Sequence, residues 1–196
     1  MIDKDIERRR YDNRAKFRLN ANKLNHINKI PKYLNIPYKH YFKLLEGLHD
    51  QLKLLEIGAG MGENTGFLLA TGAQVCVTDI SKSSLSVIEK RFNTDRVITN
   101  VADMEKLPFD DNSFDFVCSA GSLSYGDNEI VMNEVYRVLK QGGMLIAIDS
   151  LNHNPVYRIN RYVHYLKGMR SLSTLKRMPN MKLFNKYRER FEKVDV

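Results

Sequence analysis

The chain has 196 residues, 43% of them hydrophobic and 28% charged, with a formal net charge of +8. That length suits one domain with a sizeable core. No apolar run approaches the roughly 20 residues a membrane span needs, and the charged N-terminus lacks the apolar core of a signal peptide, so the expectation is a soluble, cytoplasmic protein. The charge is unevenly placed. Residues 1–35 carry ten Lys/Arg against four Asp/Glu, residues 36–150 ten against sixteen, and residues 151–196 eleven against three. An acidic centre is flanked by two basic segments. These read as solvated helix faces or as the lining of a site for an anionic partner, such as a nucleotide- or lipid-linked sugar or a nucleic acid. Cys76 and Cys118 fall in apolar strand-like runs and read as buried small fillers, neither a disulfide nor a metal pair.

In chain order, residues 3–25 are polar and basic with scattered Tyr11, Phe17, Leu19 and Leu24, which predicts one amphipathic helix or two short ones. Pro31 and Pro37 break the next stretch, and Tyr38 to Leu48 reads as a helix. Leu52 to Ile57 is a short apolar run, the mark of a strand buried on both faces. It ends in Glu56 and then Gly58, Gly60 and Gly62 at alternate positions. Such a turn lets a ligand approach the backbone closely. A helix predicted over Glu63 to Ala70 aims its first N–H groups at the same space.

The spacing narrows the ligand. In a dinucleotide fingerprint the third glycine would fall on Glu63, and a P-loop needs a Gly-Lys-Ser/Thr ending that is absent. An NAD-dependent oxidoreductase is therefore disfavoured. The pattern E-x-G-x-G-x-G resembles the first motif of the class I S-adenosylmethionine-dependent methyltransferases. Two later phrases match the same family in the right order: LPFDDNSFDFV at 107–117 and EVYRVLKQGG at 134–143. The resemblance implies a doubly wound, mainly parallel α/β Rossmann-like sheet with helices on both faces. It also implies S-adenosyl-L-methionine as cofactor, held by Glu56, Gly58, Ala59, Gly60 and Gly62. The N-terminal segment would lid the pocket, with Tyr11 and Tyr38 facing cofactor or substrate. The organisation expected is a lid over 1–50, a cofactor-binding core over 51–150 and a basic substrate-side segment over 151–196.

Gly72 reads as a helix C-cap residue. Gln74 to Asp79 is the second strand, and Asp79 stands at its carboxyl end, 21 residues past Gly58. In doubly wound folds an acid there accepts from ribose hydroxyls, while Ser81 is the better cap for the helix predicted over Ser83 to Phe92. The family places Ile80 on the adenine face. Val97 to Val101 is the third strand, followed by Asp103 and Met104. The resemblance sets this acid against the adenine amino group, with the methionine in apolar contact. Phe114 to Ser119 is the fourth strand, and the acids of the preceding loop read as loop formers. Ser119 to Tyr125 then lies beyond a strand's carboxyl end, where cofactor meets substrate.

Asn128 to Lys140 carries a helical apolar stripe. Gly142 and Gly143 are expected to end that helix, and Met144 to Ile148 to form the fifth strand. His153, just past it, is the candidate general base, because histidine titrates near neutral pH. Val156 to Gly168 reads as a helix in which Arg158 and Arg161 are candidates to clamp a phosphate. Met181 to Phe191 reads as the last helix. This tail is similar to that of methyltransferases found with bacterial surface-polysaccharide genes. The family sheet has seven strands, and the sequence ends where the sixth would begin. An open, apolar edge is thus expected on the fifth strand, to be covered by another element or by a second copy in a homodimer. No metal site is expected.

Three readings remain open. One is methylation of a small, anionic acceptor, with a sugar of a surface glycan as the example. Another is an RNA methyltransferase using the basic flanks, disfavoured because no Asn-Pro-Pro-Tyr type motif and no separate RNA-binding module is present. The last is a shortened, non-catalytic protein that binds the cofactor or a partner chain.

Overall fold

The structure, a computed structural model, describes residues 2–21, 35–153, 155–168 and 170–195. The end of the first predicted helix, with Leu24, and the break at Pro31 lie outside the described residues. Five strands form one parallel sheet: β1 (Lys53–Ile57), β2 (Gln74–Asp79), β3 (Val97–Val101), β4 (Phe114–Ala120) and β5 (Leu139–Ile148). Their order is β3-β2-β1-β4-β5. The chain builds outward from β1 to β3, then returns to the other side of β1 for β4 and β5. The order therefore reverses between β1 and β4, and a crevice opens there above the carboxyl ends.

Both faces of the sheet are covered, which is why its strands are apolar without strict alternation. Leu54, Val75 and Val77 pack with Tyr41 and Leu45 of α2 (Asn35–Leu45), with Leu68 and Leu69 of α3 (Thr65–Ala70), and with Leu85 and Ile88 of α4 (Lys82–Phe92). Leu55, Ile57 and Val117 face the other way, onto Val131, Val135 and Val138 of α5 (Asn128–Val138). Of the two cysteines, Cys118 is buried, while Cys76 is half-buried and accepts a hydrogen bond from Asn100 at 3.3 Å.

Local chemistry sets the helix limits. Ser81 Oγ accepts from the Ser84 N–H and starts α4, and Asp127 accepts from Glu129 and Ile130 to start α5. Gly72, at φ +88°, ends the turn after α3. α3 itself begins two residues later than expected, at Thr65, because Asn64 and the Thr65 hydroxyl turn inward onto Glu56.

The stretch 139–143 corrects the sequence reading. The helix does not run to Lys140; Leu139 already pairs with Phe114 as the start of β5. Between the Leu139↔Phe114 and Met144↔Phe116 pairs the register shifts, so residues 140–143 bulge out. A Cβ on Gly143 would lie 2.9 Å from Lys140 O and 3.0 Å from Asp115 O. The glycines therefore shape a bulge and do not stop a helix. β5 is an edge strand of this sheet, and its Met144 is half exposed.

Around this core, α1 (Ile2–Asn20) lies across the crevice and packs Ala15 against Met61 and Val87. α6 (Pro155–Leu166), α7 (Leu172–Lys176) and α8 (Met181–Arg190) follow β5. α8 packs Leu183 and Tyr187 on Met132 of α5.

Candidate cofactor and acceptor cleft

The crevice at the reversal point holds a cavity of about 720 Å³, inside the ~300–1,000 Å³ range of small-molecule sites. Its floor is the turn after β1. Gly58 and Gly60 both have positive φ, +62° and +58°. They are required for different reasons. A Cβ on Gly58 would stand 2.5 Å from Ser122 Cβ, and Ser122 cannot move because its hydroxyl donates to Ile57 O at 3.0 Å. A Cβ on Gly60 would meet nothing nearer than 3.7 Å; it would point into open cleft toward Glu63 and Tyr11. Only the second leaves room for a ligand against the backbone.

Three carboxylates are built into this floor. Asp79, 7% exposed, accepts the Gly60 N–H on one oxygen and the Ser81 N–H on the other, each at 2.8 Å. The two bonds fix the carboxylate, and each oxygen keeps a free acceptor direction for a vicinal diol. Burial pushes its pKa up to about 6, against the pull of those two N–H groups. Glu56 is fully buried, takes the Thr65 hydroxyl at 2.5 Å and the Asn64 amide at 3.4 Å, and is pushed by burial to about 7. Asp103 accepts the Glu105 N–H at 3.0 Å and pairs with Lys4 Nζ at 2.5 Å. Ile80 and Met104 supply apolar surface beside these acids.

The roof comes from the N-terminal helices. Lys4, Glu7, Tyr11 and Arg14 of α1 and Tyr38 of α2 line the cavity. Asp12 accepts from Ser81 Oγ at 2.6 Å and Arg18 pairs with Glu63 at 3.0 Å, which pins α1 over the glycine turn. At the far end stands Tyr125, in a 3-10 turn over Leu123–Tyr125. Its hydroxyl receives Arg10 and Arg170, both at 3.1 Å, and Tyr11 at 3.3 Å. Tyr11 stays protonated: burial first, then Tyr125, raise its pKa.

The expected site residues thus divide by place. Glu56, Gly58, Ala59, Gly60, Asp79, Ile80, Asp103, Met104, Tyr11, Tyr38 and Tyr125 line the cleft. Gly62 does not: its φ of +80° and its closeness to Phe92 and Ile88 make it part of the turn's packing. Ser119 lies behind the wall, fully buried, sharing a hydrogen bond with Ser122 at 2.7 Å. Arg161 is buried too. It donates to Ser124 Oγ at 3.0 Å and faces Asp149 at 3.7 Å, holding α6 against the 3-10 turn. Arg158 and His153 are exposed and are not among the lining residues. A base at His153 and a phosphate clamp at Arg158 are therefore not where the cleft is, because α6 is docked through Arg161 and the turn before it lies outside.

Sequence reasoning missed Lys4, Glu7, Arg14, Glu63, Asn64 and Asp149. Lys4, Glu7 and Arg14 share a helical face with Tyr11, a spacing that carries signal only once the helix is known to cover the cleft. Asp149 accepts the Leu123 N–H at 2.9 Å and so ties the end of β5 to the 3-10 turn.

The lining carries Glu7, Glu56, Glu63, Asp79 and Asp103 against Lys4 and Arg14, but Arg10, Arg18 and Lys4 pair with Glu7, Glu63 and Asp103. These acids are therefore largely balanced, and Arg10 and Arg170 stand at the Tyr125 end. The floor fits an adenosyl group. The glycine turn leaves the backbone open, Asp79 has spare acceptor capacity for a ribose, and Asp103 for an exocyclic amine.

Comparison with known proteins agrees. Residues 55–147 match the family described as a methyltransferase domain. The chain is 36% identical over 124 residues to a demethylmenaquinone methyltransferase of Clavibacter sepedonicus, covering 60% of this chain and 49% of that protein. It is 30% identical over 158 residues to a sterol 4-C-methyltransferase of Caenorhabditis elegans, covering 74% and 47%. It thus spans about half the length of these relatives. Among solved structures, its fold is similar to that of geranyl diphosphate C-methyltransferase from Streptomyces coelicolor A3(2), solved with Mg2+, geranyl diphosphate and S-adenosyl-L-homocysteine. That likeness has a TM-score of 0.62 at 17% identity, covering 79% of this chain and 58% of that one. With the E-x-G-x-G-x-G turn, the two downstream aspartates and the reversal-point cleft already in place, residues 55–147 are a methyltransferase domain of the class I S-adenosylmethionine-dependent kind.

Proposed function

We propose that this chain transfers a methyl group from S-adenosylmethionine to a small, largely apolar acceptor. The observation that carries the reading is one continuous cleft. Its floor is made of carboxylates and glycine turn. Its roof and far end carry Tyr11, Tyr38 and Tyr125, and Met61 and Phe67 add apolar surface to its lining. Relatives named for a quinone and a sterol support an apolar acceptor. A nucleotide- or lipid-linked sugar has no such support among them.

When bound, the cofactor supplies a methyl group already activated on a sulfonium, so the protein's work is mainly positioning. Asp79 and Asp103 would hold the two ends of the adenosine. Ile80 and Met104 exclude water from its ring. Glu56, held by Thr65 and Asn64 and pushed by burial to about 7, ties the end of β1 to the start of α3 beneath the glycine turn. Tyr125 is held in place by Arg10, Arg170 and the Tyr11 hydroxyl, which leaves its own O–H to donate to a polar atom of the acceptor.

The test pairs calorimetry with S-adenosylmethionine and transfer of labelled methyl to a demethylated short-chain quinone, a sterol and a sugar nucleotide. Transfer to the sugar nucleotide alone overturns the acceptor class. Absence of cofactor binding overturns the whole reading.

A further inference from the structure

We infer that the outward face of α6 docks the protein on an anionic lipid surface. The helix is turned inside out relative to an ordinary surface helix. Its buried side is polar: Arg161, 7% exposed, reaches Ser124 and faces Asp149. Its solvent side is apolar. Ile159 is 65% exposed, Tyr162 55%, Val163 38% and Leu166 66%. These four stand at i, i+3, i+4 and i+7, one stripe of an α-helix, running along about 10 Å of a 12-residue helix. At 100° per residue, Ile159 and Leu166 lie about 160° and about 140° around the helix from Arg161, so the stripe faces away from the sheet.

Charge selects the occupant. Residues 151–188 contain nine Lys/Arg and no Asp/Glu, and Arg158 and Lys167, beside the stripe, are both exposed. An apolar stripe rimmed by cations is the pattern of a helix lying in a lipid interface, with the stripe among the acyl chains and the cations at anionic head groups. A second copy of the chain would set like charge against like charge. A nucleic acid would meet the cations but leave Ile159, Val163 and Leu166 against a phosphate backbone.

The position gives the docking a use. Arg161 fastens α6 to Ser124, the neighbour of Tyr125 at the acceptor end of the cleft. A bilayer on α6 would therefore lie one helix thickness, about 10 Å, from the acceptor end of the cleft. That use rests on the acceptor class proposed above; the docking itself does not.

The experiment is sedimentation of the full chain with vesicles of phosphatidylcholine alone or mixed with phosphatidylglycerol, without acceptor or turnover. Binding is expected to the mixed vesicles and to weaken with added salt. Ile159→Glu with Leu166→Glu should lower the partition coefficient at least about tenfold, since two apolar anchors are replaced by charges that anionic lipid repels. Lys167→Gln should lower it about fivefold, the loss of one cation near the surface. Both side chains of the double variant are exposed, so its calorimetric affinity for S-adenosylmethionine should match the wild type and certify the fold. The inference is overturned by absence of binding to mixed vesicles, or by equal binding of the double variant. A wild-type dimer in sedimentation velocity that the double variant converts to monomer also overturns it, by making the face a contact between copies. Because the vesicle readout needs no acceptor, its failure is separable from failure of the acceptor reading.

Discussion

Asp79 gives the sharpest test of the cleft. Its carboxylate is already held by the Gly60 and Ser81 N–H groups at 2.8 Å, so the two remaining acceptor directions are preorganised for a diol. A hydrogen bond to a charged acceptor contributes about 1.5–3 kcal/mol. Removing two of them with Asp79→Ala should cost about 3 kcal/mol of binding, or about 100-fold in Kd. Asp79→Asn keeps one acceptor oxygen and should cost about tenfold on the same scale. Calorimetry with S-adenosylmethionine measures both. The pH dependence supplies a second arm. In the empty protein Asp79 titrates at about 6, lifted by burial. Donors from a ribose favour the ionised form, so affinity should be flat above that pH and fall as pH drops through it. The fall approaches tenfold per pH unit, since a proton then competes with the ligand. The Asn variant should lose this dependence. Equal affinities for wild type, Ala and Asn, or a wild-type affinity that rises on acidification, would refute the placement of the ribose on Asp79.

Gly58→Ala should destabilise the protein by more than about 2 kcal/mol in urea unfolding, because the Cβ collides with an immobile Ser122 and the φ is left-handed. Gly60→Ala, with open space ahead of it, should cost only about 1 kcal/mol of stability but weaken cofactor binding strongly; the reverse order of the two variants would be evidence against the turn as described. Glu56 is lifted from its ordinary 4.5 to about 7, so the folded state holds a proton between those values that the unfolded chain has released. Its contribution therefore favours folding at low pH and is lost as pH rises through the window. In urea unfolding, Glu56→Gln should be more stable than wild type at pH 8, by on the order of 3 kcal/mol at ~1.4 kcal/mol per unit, and match it more closely at pH 5; a wild-type advantage at pH 8 contradicts the buried charge. Tyr125→Phe removes the oxygen on which Arg10, Arg170 and Tyr11 converge. It should leave cofactor affinity unchanged and reduce methyl transfer about tenfold or more, as loss of a positioning contact does; an unchanged rate separates Tyr125 from the acceptor.

Much of this protein was set by local sequence. The runs over 53–57, 74–79 and 114–120 are apolar because both faces of a parallel strand are covered, while 97–101, at the sheet edge, leaves Ile98 and Val101 exposed; all four emerged within a residue or two of their expected limits. The glycines at 58 and 60 and the acids at 79 and 103 could be placed because each sits at a strand's carboxyl end, a position that sequence order alone defines. What sequence did not define was anything depending on how distant segments meet. Gly142 and Gly143 looked like a helix stop, yet they serve a bulge that exists only because β5 pairs with β4. Ser119 and Ser122 are close in sequence, and only the approach of β1 decides that the first is buried and the second faces Gly58. Arg158 and Arg161 are equivalent as residues on one helix. The docking of α6 makes one a buried clamp and leaves the other in solvent, because a helix face acquires its meaning from the partner it is laid against.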